Sequence, residues 1–206
     1  MVGDTTTATS LVMELEARTL SAADLGLAAG WGRSFLVEPP ARLSVLGDPA
    51  RLAGRPADGP GATLGLFCSV RCPGERILWA YDLAQRWRRE ETIVISGFHS
   101  PVEKECLRIL LRGPQPVILC PARGLAGFRV PTDWRRAVIE GRLLLLSAFD
   151  PGERRATAEL ARRRNALVAA LADRLCFIHV TPGGELESLR EQARAAGKAE
   201  VALEGP

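Results

Sequence analysis

The sequence predicts an α/β fold, a doubly wound and mainly parallel sheet with helices on both faces. Two observations carry that expectation. The first is a series of short apolar runs: Leu64–Val70, Thr92–Ser96, Pro116–Cys120, Arg142–Ser147, Leu175–Thr181 and Glu200–Leu203. They lack polar alternation, so the strands they form are buried on both faces, as in a parallel sheet covered by helices. The second is what separates them: amphipathic stretches that begin after Ser, Pro or Gly and often stop at Gly. Strands alternating with helices in this way build a Rossmann-like sheet.

Residues 1–20 are polar and then weakly helical over Leu11–Leu20, and Ser21 is a candidate cap for a short helix running to Ala28. Pro39-Pro40 prevents its continuation. Ala41–Leu52 reads as a short strand and turn, and Gly54–Ala62 as a linker rich in Gly and Pro. The chain thus divides into an N-terminal extension and linker, residues 1–62, and a Rossmann-like domain, residues 63–206. From Leu64 the order is β-α-β-α-β-(α)-β-α-β-α-β. Helices are expected over Glu75–Arg89, with Ile77, Leu78, Tyr81, Leu83, Ala84 and Trp87 on one face, and over Pro101–Leu111, with Ser100 as cap. Three more follow at Thr132–Glu140, ending at Gly141, at Arg154–Asp173, and at Glu185–Ala196, ending at Gly197.

At 206 residues and 47% hydrophobic content, the chain suits one α/β domain with a modest appendage. Its longest apolar block, around Leu143–Leu146, is far short of a membrane span, so no membrane role is expected. Residues 1–20 hold acids and lack a basic start, so no secretory signal is read there. The five cysteines are odd in number, with Cys68, Cys120 and Cys176 in strands, which points to reduced thiols and a cytoplasmic protein. A net charge of +3 does not by itself imply nucleic acid. Its distribution is more telling, because Arg154, Arg155, Arg162, Arg163 and Arg164 crowd one stretch.

Three turns at strand ends could hold anions. Ser69, Arg71 and Gly74 lie between a strand and a helix start, where N–H groups and a guanidinium suit phosphate. The plainer reading is a tight turn with Arg71 in solvent. Ser96, Gly97 and His99 form the second turn. Gly97 permits close backbone approach, and His99 could bond a phosphate, stack on a base, or stand at the surface of a capped helix. Glu103, one turn further, either accepts from a ribose hydroxyl or favours the helix N-terminus. Thr181, Pro182, Gly183 and Gly184 form the third turn, the richest in backbone donors. Asn165 is a poor interior helix former, so Arg164-Asn165 either points at the crevice or lies on a solvated face. Arg162 and Arg163 read as an exposed face able to meet a phosphate backbone.

The cysteines with His99 and His179 show no CxxC or HExxH spacing, so buried thiols and a core His179 are expected, without metal or disulfide. Neither a nucleophile elbow nor a Walker A loop is present, and no catalytic residue or cofactor is assigned.

The segment SGFHSPVEKECL after a strand resembles the SG-x-A-x-G-I-D element of the DprA/Smf family of DNA-processing proteins. Ser69-Val70-Arg71 is similar to that family's Gly-Ser/Thr-Arg turn, Arg164-Asn165 to its RNR helix, and Leu46-Gly47-Asp48 to an element preceding its Rossmann-like domain. Pro182-Gly183-Gly184-Glu185 stands at its Ser-Gly turn. The likeness spans about Leu43 to Leu203. Departures are Pro101 and Glu103 at the family's Gly and Asp, and Ala166 at the second Arg. The reading favoured is a DprA-like protein that binds single-stranded DNA or nucleotide phosphates without turnover, and the resemblance implies that the process is DNA processing. Its partners would be single-stranded DNA and a RecA-type recombinase, and it leaves a homodimer open. PGGELESL is also similar to the PGGxGTxxE loop of LOG-type nucleotide phosphoribohydrolases, but Leu186-Glu187 replace its Gly-Thr and Arg190 its final Glu. That likeness implies cleavage of a nucleoside monophosphate, with Glu103 or Glu187 beside the ribose. A nucleotide-sensing domain of the wider SLOG superfamily is the third possibility.

Overall fold

The structure is a computed structural model and is described here for residues 16–27, 34–36, 38–51, 62–90 and 92–201. Its elements are β1 (Arg18–Ser21), β2 (Arg42–Leu46), β3 (Thr63–Cys68), α1 (Gly74–Trp87), β4 (Ile93–Ser96), α2 (Pro101–Leu110) and β5 (Val117–Leu119). They continue with α3 (Thr132–Ile139), β6 (Leu143–Ser147), α4 (Ala158–Leu171), β7 (Arg174–His179), α5 (Glu185–Ala195) and β8 (Ala199–Glu200). One sheet runs β1-β2-β6-β5-β4-β3-β7-β8. Strands β3 to β8 are parallel, and β1 and β2 add an antiparallel edge, with Val45 opposite Leu146.

Alternate residues of each parallel strand serve opposite layers. Leu64, Leu66, Val94, Val117, Leu119, Leu143 and Leu145 pack under α1, α2 and α3. Phe67, Ile93, Ile95, Ile118, Leu144 and Leu146 pack under α4 and α5, together with Leu25 and Phe35 from the N-terminal segment. Both faces are apolar because both are covered, which is why the runs lack polar alternation. Phe67 and Phe177 stack at 5.0 Å between neighbouring β3 and β7. At the opposite ends of these strands, Asp173 accepts from the Thr63 amide and hydroxyl at 2.7 and 2.6 Å.

The doubly wound, mainly parallel architecture agrees with the sequence, and four local expectations are corrected. The helix expected over Leu11–Leu20 does not cover Arg18–Leu20, which form β1 beside β2; residues 11–15 lie outside the described part. The expected helix from Ser21 is a turn over residues 22–26. There the Ser21 hydroxyl and the Asp24 carboxylate clasp each other and the backbone of both residues. Helix α4 starts at Ala158 rather than Arg154, because Thr157 caps it by accepting from the Leu160 amide at 3.2 Å. Strand β3 ends at Cys68, so Ser69 and Val70 belong to the following turn. Of the linker, only Ala62 is described, and of Glu200–Leu203 only Glu200 and Val201. Among the described residues no helix is long and apolar enough to cross a membrane.

Candidate functional site

The parallel strands all end at one edge. There β3 lies between β4 and β7, and the helices that follow β3 and β7 pass to opposite layers. Such a reversal opens a crevice at the strands' carboxyl ends. Ser69 staples it. Its amide donates to the His179 carbonyl at 3.0 Å, and its hydroxyl accepts from the Thr181 amide at 3.0 Å. Arg71 stands exposed on the same turn. Gly74 then opens α1, whose N-terminus has no side-chain cap, and a Cβ on Gly74 would meet nothing within 4 Å. Of the three helix starts at the expected anion turns, only that of α2 carries a side-chain cap, and those of α1 and α5 carry none.

The second turn is filled from within. The buried Ser96 hydroxyl donates to the Leu66 carbonyl at 2.8 Å and accepts from the Phe98 amide at 3.1 Å. Phe98 holds φ 45 with its ring buried, a left-handed conformation that costs about 1–3 kcal/mol. Beyond it, the His99 and Ser100 amides donate to Glu103 Oε2 at 2.7 and 3.1 Å, and the Cys68 amide donates to Glu103 Oε1 at 2.9 Å. The Ser100 hydroxyl in turn accepts from the Glu103 amide, completing a capping box. Glu103, buried, is thus an internal anion that ties the ends of β3 and β4, with both oxygens engaged by main-chain amides. The His99 imidazole remains exposed.

Arg164 is 4% exposed, which disposes of the solvated-face reading. Its Nη1 donates to the Cys120 carbonyl at 3.4 Å, and its Nε to the Asn165 side-chain oxygen at 2.9 Å. A Cβ on Gly97 would collide with the guanidinium. Burial pulls its pKa down, against the attraction of Glu103. Arg164 and Glu103 come from opposite helical layers, and both reach the turn after β4. The arginine run does not form one basic face. Arg162 pairs with Glu159 and lies 3.8 Å from Glu185, Arg163 sits over the Phe149 ring at 5.3 Å, and Arg154 and Arg155 are exposed on the preceding loop.

The third turn is also occupied. Gly183, at φ +71, donates its amide to Glu187 Oε2 at 2.7 Å, and the Gly184 amide donates to the Thr181 carbonyl at 3.0 Å. The loop that is richest in backbone donors spends two of them on its own chain.

The fold therefore brings Ser69, Arg71, Gly74, Thr181, Gly183 and Gly184 to the switch point, and Ser96, Gly97, His99, Arg164 and Asn165 to the adjoining strand ends. Sequence reasoning missed Ser69 as a staple and Glu187 as the occupant of the glycine turn. The signal that could have found Glu187 is its place as the third residue of α5, from which an acidic side chain reaches back to main-chain amides before the helix.

No protein-family model matches the chain, and no curated protein matches it. Solved structures do. DNA processing protein A from Helicobacter pylori, described for its single-stranded DNA binding mode, superposes with a TM-score of 0.68 at 19% identity, over 93% of this chain and 84% of that one. DprA from Streptococcus pneumoniae gives a TM-score of 0.68 at 18% identity, over 96% of this chain and 69% of that one. This protein has a DprA-like fold, as the resemblance of its turns implied.

Proposed function

We propose that this protein binds single-stranded DNA through the phosphate backbone, along the carboxyl edge of the sheet, and does not turn it over. The observation that carries the reading is the Ser69 staple. It holds exposed Arg71 and the uncapped start of α1 against the β7 turn, in a fold whose H. pylori example binds single strands. Exposed His99 adds a donor or a stacking face one strand away. The phosphoribohydrolase alternative is weakened because Glu103 is buried and bonded by three main-chain amides, and Glu187 by one. A free nucleotide remains the competing ligand. Delivery of the strand to a RecA-type recombinase, and a homodimer, belong to the same reading.

The test is a titration of the purified protein with labelled single strands and with free nucleotides at two salt concentrations. Binding of strands whose affinity falls with salt, by about 0.7 in log–log slope for each phosphate contacted, is the expected result. Salt-independent binding, or clean release of base from a nucleoside monophosphate, overturns it. Co-sedimentation with RecA filaments and light scattering test the two partners.

A further inference from the structure

A cleft of about 530 Å³ lies beside β7 and β8, lined by Arg76, His179, Val180, Arg190, Arg194 and Glu200 among others. Its cations come from separate elements: Arg76 from the first turn of α1, and Arg190 and Arg194 one turn apart on α5. Arg190 spreads over the Phe177 ring at 5.8 Å. Glu200 is the carboxylate among the described lining residues, with Oε1 2.5 Å from Arg190 Nη2 and Oε2 3.3 Å from Arg194 Nε. Three guanidiniums and one acid thus line the cleft, Glu200 pairing with two of them while Arg76 lies over the Trp79 ring at 5.7 Å. In addition, Arg190 Nε is buried without a hydrogen-bond partner. Such a donor is unfavourable unless something supplies an acceptor.

The cleft adjoins the switch point. The His179 carbonyl in its wall is the one that receives the Ser69 amide, and Val180 leads directly to Thr181. Guanidinium forks match phosphate oxygens better than any other side chain does.

We infer that this cleft is a phosphate seat held in a self-paired state by Glu200, and that it takes the phosphodiester backbone of a strand continuing past Arg71. The seat follows from the cleft alone, and the source of the phosphates rests on the proposed DNA binding. Glu200 stands where an incoming phosphate would bond, so its removal frees both arginines. A phosphate chain displaces it by offering more charge and more acceptors.

The experiment uses the whole chain, sodium tripolyphosphate, and oligothymidylates of roughly 6 and 20 nucleotides, lengths on either side of common single-strand site sizes. The double variant Arg190→Gln/Arg194→Gln is expected to weaken tripolyphosphate and the longer strand by about tenfold or more, and to lower the salt slope on that strand by about 1.4. The shorter strand, confined to the switch point, is unaffected. Glu200→Gln is expected to tighten tripolyphosphate severalfold, a gain that misfolding does not produce. Arginine-dependent tripolyphosphate binding without strand binding keeps the seat and overturns the DNA reading. Strand binding indifferent to all these changes keeps the DNA reading and overturns the seat. Binding of neither probe overturns both, and unchanged or weaker binding in Glu200→Gln overturns the self-pairing.

Discussion

The guanidinium of Arg164 fills the space that a side chain on Gly97 would need. Arg164 comes from α4 and Gly97 from the turn after β4, so this contact locks a helix to the edge where the candidate site lies. Gly97→Ala must displace either the guanidinium or the turn. It is expected to cost about 1–3 kcal/mol, seen as a lower urea midpoint at unchanged slope. With Arg164→Ala in the same chain the collision disappears, and the pair is expected to be less destabilised than the sum of the singles by about 0.5–3 kcal/mol. Strictly additive effects would show that the two residues are not coupled.

Glu103→Gln probes the internal anion. An amide has one oxygen, so it cannot accept from the Cys68 amide on one side and from His99 and Ser100 on the other. A buried donor loses its partner, and the expected cost is about 1–3 kcal/mol in thermal or urea denaturation. An unchanged midpoint would refute the bonding described.

Arg71→Ala separates binding from folding. Because Arg71 is exposed, its melting temperature is expected to stay within the scatter of surface substitutions. Affinity for single strands of every sequence is expected to fall, and the salt slope to flatten by about 0.7, since a phosphate contact carries no base information. Loss of affinity for one sequence only would argue instead for base readout.

Alkali should destabilise the protein through its thiols. Burial pushes Cys120 and Cys176 up to about 12 from an ordinary 9.0, and raises Cys68 and Cys106 as well. The folded state keeps protons that the unfolded chain releases. This contribution is therefore full below the unfolded value of 9.0 and is lost as pH rises from there through the folded value of about 12. Each thiol is expected to add about 1.4 kcal/mol per pH unit to the decline. Denaturation curves taken under reducing conditions from about pH 8 to about pH 11 check the slope. Cys120→Ala should flatten it by one thiol's share, and a pH-independent midpoint would contradict the burial.

Patterning alone determined the strand–helix alternation from Leu64 onward, and the reason is local. Unbroken apolar runs such as Leu143–Leu146 can only be buried on both faces, and signals such as Ser100 with Pro101 and Glu103 act within a few residues. The turns that carry the candidate site were legible for the same reason: Ser69, Gly97 and Gly183 stand at strand-to-helix junctions. What each turn does was decided only by the tertiary structure. Arg18–Ser21 became a strand because β2 offered an edge to pair with, against its own weak helical pattern. Glu103 and Glu187 fill two apparent phosphate cradles through bonds within four residues, but only the fold brought the Cys68 amide to Glu103 and so tied the ends of β3 and β4 together. Arg164, one of three consecutive arginines, is buried while its neighbours pair or stack at the surface, a difference set by which helix face meets Gly97. Arg76, Arg190 and Arg194 converge on one cleft although four strands and three helices separate the first from the others in sequence; such convergence depends on strand order, which no local pattern encodes.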